Sequence, residues 1–85
     1  MTTDERTTTF TAGPGGVMTD EVGVITGELT LRTTVDDSGA VRQTIQYRDA
    51  DEWYAVTGAP ATVPAGASID SIHCSAVETM TRGQQ

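Results

Sequence analysis

The stretch ELTLRTTV (28–35) constrains the rest of the chain more than any other. Leu29, Leu31, Thr33 and Val35 alternate with Glu28, Thr30, Arg32 and Thr34. A period of two is the mark of a strand with one dry and one wet face. DDSG (36–39) follows, with Asp at its start and Gly at its end, as a type I turn closed by a left-handed glycine requires. AVRQTIQY then returns with Val41, Ile45 and Tyr47 on one side and Arg42, Thr44 and Gln46 on the other. RDADE (48–52) reads as a second polar turn and WYAVT (53–57) as a third strand, so 28–57 forms an antiparallel meander.

Composition supports a sheet. Sixteen of the 85 residues are threonine, which suits a pleated, half-buried surface. The apolar stock is thin: Leu, Ile, Val and Phe together make 15 of 85, just under the roughly 20% at which disorder competes with folding. A chain of this size buries a modest share of its surface, so a partner or a second copy is a natural stabiliser.

Upstream, the polar residues 1–6 are expected to be a flexible end. TTTFT (7–11) reads as a short strand anchored by Phe10, GPGG (13–16) as a loop, and EVGVIT (21–26) as a strand with Gly23 at a bulge or close approach. Downstream, GAPATVPAGA (58–67) reads as a connection, because Pro60 and Pro64 cannot donate to a ladder.

The closing segment has helical spacing. Ile69, Ile72, Ala76 and Met80 recur at i, i+3, i+7 and i+11, with Val77 beside them. Ser68 can cap this helix, Asp70 lies in its first turn and Arg82 in its last, with Gly83 beyond. Residues 83–85 make a flexible tail. The expected fold is therefore α+β: one domain over 7–82, with a small antiparallel sheet of four or five strands, a central three-strand meander and one C-terminal helix packed on a face.

Charge narrows the function. Twelve acidic residues stand against five basic ones, a net charge of −7. Every basic residue is Arg; there is no Lys and no Asn, a bias expected of a GC-rich bacterial genome. Without a basic stripe, nucleic acid and anionic membrane are both disfavoured as partners. The N-terminus has no apolar signal core and no run approaches membrane-spanning length, which points to the cytoplasm.

Chemistry is sparse. The one histidine and one cysteine, His73 and Cys74, are adjacent. Neighbours on a helix point about 100° apart, so this couple does not form a nucleophile–base pair. His73 falls inside the apolar arc and is expected to be partly buried and hydrogen-bonded. Cys74 falls on its flank and is expected to be a half-buried, inert thiol. One Cys and one His are too few for zinc, and RDADE lacks the spacing of a calcium loop, so neither a metal nor another cofactor is called for. Asp70-Ser71 sets a serine at a helix start as a carrier protein does, but after a sheet and close to the end of the chain.

Trp53 and Tyr54 are consecutive, so on a strand they point to opposite faces. One helix covers one face, leaving one aromatic on the open side unless the N-terminal strands form a second layer. The expectation is a non-enzymatic protein-interaction module, accessory or regulatory. Its interface would be Trp53, Tyr54 and the acidic Asp49, Asp51 and Glu52, with Asp36 and Asp37 at the opposite turn. Its partner would be a protein, basic where it meets these acids, or a second copy in a homodimer. The rival is a small-molecule binder or small enzyme with a pocket between helix and sheet lined by His73 and Tyr47 or Tyr54.

Overall fold

Seven regular elements account for most of the chain in a computed structural model, which describes residues 4–48, 50–59, 62–63 and 66–82. They are β1 (Asp4–Thr11), β2 (Val17–Thr19), β3 (Gly23–Ile25), β4 (Glu28–Val35), β5 (Val41–Tyr47), β6 (Tyr54–Ala55) and α1 (Ile69–Arg82). The fold is α+β, as the sequence pattern predicts. A four-stranded antiparallel sheet runs in the order β1-β4-β5-β6, a two-stranded sheet pairs β2 with β3, and α1 packs on one face.

The alternation along β4 carries the core. Leu29 and Leu31 are fully buried and pair with Phe10 and Thr8 on one side and with Tyr47 and Ile45 on the other. Beneath the helix and the β2–β3 hairpin, Phe10, Leu29, Leu31 and Ile45 pack with Val17, Ile25, Val56 and Met80. The turn between β4 and β5 forms as its composition dictates. Gly39 sits at φ +86° and its N–H donates to Asp36 O at 3.0 Å. The Asp36 carboxylate accepts from Ser38 N–H, Ser38 Oγ and Ala40 N–H, which holds its pKa below the ordinary carboxylate value.

The helix is capped as Ser68 foretells. Ser71 N–H donates to Ser68 Oγ, and Ser68 N–H donates to Ser71 Oγ, a reciprocal arrangement with serine in the place usually held by Glu. At its other end Gly13 N–H donates to Met80 O at 2.8 Å, tying the loop after β1 to the last turn.

Two expectations need adjusting, and one strand is added to those expected. β1 begins at Asp4, three residues earlier than TTTFT indicates, because Asp4, Glu5 and Arg6 find partners in Val35, Thr34 and Thr33. Val17–Thr19 is a strand, which three residues are too short to announce. The third meander strand shrinks to Tyr54–Ala55, with Val56 instead bridging Thr19 of β2. Pro60 and Pro64 of the expected connection, and the 83–85 tail, lie outside the described residues. Among the described residues no helix is long and apolar enough to cross a membrane.

Candidate functional site

Register decides which aromatic faces out. Tyr54 pairs with Ile45, a core residue, so Tyr54 lies on the helix side and packs against the apolar cluster. Its hydroxyl donates to Glu52 at 3.1 Å, and that bond raises the phenol pKa. Trp53 therefore falls on the opposite, helix-free face. There the guanidinium carbon of Arg32 sits 4.1 Å from its ring centroid, a cation–π stack that holds the indole half-exposed across the sheet. β1 joins the edge of the sheet rather than its back, so among the described residues no second layer covers this face.

The helix-free face is built of alternate residues from β1, β4 and β5. Thr7, Thr9 and Thr11 lie along β1, Thr30 and Thr34 along β4, and Thr44 on β5. Thr9 and Thr30 are paired and their hydroxyls meet at 3.0 Å. Arg32, Arg42 and Trp53 rise from this field of short side chains. Arg48 and Glu28 form an exposed pair at its end, 3.0 Å apart.

Of the acidic residues expected at the interface, Asp51 and Glu52 are exposed beside Trp53 and Tyr54, and Asp49 lies outside the described residues. The structure adds two that sequence spacing could not associate. Glu21 accepts from Ala55 N–H at 2.9 Å, and Asp20 accepts from the Thr57 hydroxyl at 2.6 Å. Both come from the loop between β2 and β3, folded against β6. The acidic character expected near Trp53 is thus drawn from two distant parts of the chain.

On the other face, His73 is buried, 6% exposed. Its Nε2 lies 2.8 Å from Thr8 Oγ1 of β1 and its Nδ1 2.8 Å from Thr33 Oγ1 of β4. Gln43 of β5 donates to that same Thr33 oxygen at 3.1 Å. The chain Thr8–His73–Thr33–Gln43 spans three strands, and among the described residues no buried side-chain nitrogen or oxygen lacks a partner. Burial lowers the pKa of the imidazole from its ordinary 6.5, Arg6 lowers it further, and Asp70 opposes them in part. The ring is a neutral clasp between helix and sheet.

Cys74 is exposed, not half-buried as its place on the flank of the arc indicates. It and His73 help line a groove of about 690 Å³ between β1 and α1, with Thr8, Val77, Glu78, Thr81 and Arg82. A second groove of about 380 Å³ lies along the opposite flank of α1, bounded by Gln43, Ile72, Ala76 and the 56–59 segment. The structure does not bring His73 and Tyr47 together: Tyr47 sits at the end of β5, exposed, and lines neither groove. Tyr54 lines neither groove as well.

Among the described residues, no group of three or more His, Cys, Asp or Glu is placed to hold a metal ion. No protein-family model, no curated protein and no solved structure matches this chain.

Proposed function

We propose that this chain is a non-enzymatic interaction module of the cytoplasm, and that it docks a partner protein on the helix-free sheet face centred on Trp53 and Arg32. One observation carries the reading. The only tryptophan of the chain is directed away from the core and held in place by a guanidinium. Trp and Arg are the residue types that most often anchor protein interfaces. The surrounding threonines present a flat surface with little rotamer entropy to lose on docking. Asp20, Glu21, Asp51 and Glu52 form an acidic border at the β6 end, so the partner carries basic residues there. His73 contributes to this reading by being occupied: both ring nitrogens already contact threonine hydroxyls.

The test is retention of protein from an extract of the cells that make this chain. Immobilised wild type should retain a partner that Trp53→Ala and Arg32→Ala lose and that Ser75→Ala, on the exposed side of α1, keeps. Equal retention by all four, or none beyond the bare support, overturns the reading.

A further inference from the structure

We infer that β1 is a dimerisation edge, joining two copies of this chain into one continuous eight-stranded sheet. β1 is the outer strand of its sheet and is eight residues long. Its hydrogen bonds to β4 follow from one fixed point: Ala12 N–H donates to Gly27 O at 2.9 Å, in register with Phe10↔Leu29 and Thr8↔Leu31. In an antiparallel ladder, residues alternate between bonding inward and outward. The even residues of β1 therefore bond to β4. The peptide groups of Glu5, Thr7, Thr9 and Thr11 point away from the sheet, and their N–H groups have no backbone partner among the described residues. Glu5 O accepts from the guanidinium of Arg6 at 2.8 Å. A long open edge of this kind is a template for another strand.

The occupant that fits is a second copy. In antiparallel pairing about a two-fold axis through Thr8, Glu5 meets Thr11 of the second copy and Thr7 meets its Thr9. All four outward residues are then used at once. Threonine stands opposite threonine, a favourable cross-strand pair, and no carboxylate stands opposite another. On the helix side, Arg6 meets Phe10 and Thr8 meets itself.

The helices agree with this register. α1 lies across β1 and β4, as the bonds from His73 to Thr8 and Thr33 require. Its axis is therefore about one strand spacing from the two-fold axis. Two such helices stand about 9.6 Å apart, twice the strand spacing of about 4.8 Å, within the 8–10 Å at which helices pack. The groove lined by Cys74, Val77 and Thr81 is then filled by its own counterpart. This pairing uses the outward peptide groups of β1 and not the Trp53 and Arg32 side chains, so either reading can fail without the other.

Amide exchange tests the pairing on the unmodified protein. In the dimer, the amides of Glu5, Thr7, Thr9 and Thr11 should be protected as strongly as those of Arg6, Thr8 and Phe10, and their protection should rise with concentration. Light scattering should give the mass of two chains. Thr9→Pro removes one outward N–H and leaves the β1–β4 ladder its donors; Cys74→Arg places two like charges where the helices meet. Each should return the mass to one chain with the melting transition retained. Odd-numbered amides that exchange freely while even-numbered ones are protected would overturn the inference. So would a wild type of single-chain mass throughout, or a dimer untouched by both substitutions.

Discussion

The two edges of the four-stranded sheet are treated in opposite ways. At the β6 edge the chain closes on itself. Asp20 N–H donates to Ala55 O, Thr57 N–H donates to Met18 O, and Ala55 N–H reaches the Glu21 carboxylate, so a two-residue strand leaves hardly any backbone unpaired. At the β1 edge eight residues run in full view with half of their peptide groups directed outward. The closed edge draws on Val17, Ile25 and Val56, all buried. The open edge is a row of threonines and charges with a single buried anchor, Phe10. Apolar residues are scarce in this chain, and of the six buried ones outside β4 and β5 the closed edge has claimed three. What remains at β1 is backbone, and backbone is what another strand recognises.

Substitutions should separate the two sides. The largest effect is expected at the closed edge. Ile25→Ala removes the buried side chain that seats the β2–β3 hairpin, and should cost about 2–5 kcal/mol in a urea melt. Amide exchange at Ala55, Val56 and Thr57 should speed up before that at Thr8 and Phe10. A uniform rise across both edges would show that the hairpin is not a separate closing device.

The next effect lies under the open edge. There the His73 imidazole joins α1 to β1 and β4 and is held neutral, with its pKa below 6.5 in the fold. The unfolded chain then binds a proton that the folded chain refuses. This contribution is complete above about pH 6.5 and is lost progressively as pH falls from there toward the lowered folded value. Thermal melts taken at stepwise lower pH should show that decline, and His73→Gln should flatten it. A profile for His73→Gln that matches wild type would place the acid sensitivity elsewhere.

The smallest effect is expected at Arg6, which donates to Asp70 at 2.6 Å in an exposed pair. Arg6→Ala should hardly move the melting temperature at neutral pH, because exposed pairs are screened by water. It should narrow the acid-side decline, since the charge of Arg6 helps depress the imidazole. A large loss at neutral pH would mean that the start of β1 is held by this pair rather than by its ladder to β4.

Local pattern carried much of the architecture. Period two along 28–35, the turn chemistry of Asp36 and Gly39, and the apolar stripe with its Ser68 cap each specify one element without help from the rest. What local pattern does not contain is order and register. The Ile45↔Tyr54 pairing that turns Trp53 outward joins residues nine apart through a polar turn. The Thr8 and Thr33 hydroxyls that receive His73 lie 65 and 40 residues away from it. Neither threonine differs in composition from its fourteen fellows. The start of β1 was illegible for a related reason: Asp4, Glu5 and Arg6 have no apolar side, and only pairing with β4 makes them strand. That β1 is an outermost strand follows from topology alone.

The outward tryptophan also changes what light can report. An indole stacked on Arg32 senses the wet side of the sheet, so its emission should resemble that of a partly hydrated ring even in the native chain. Fluorescence will record when that stack comes apart, and the centre around Leu31 can loosen without being seen.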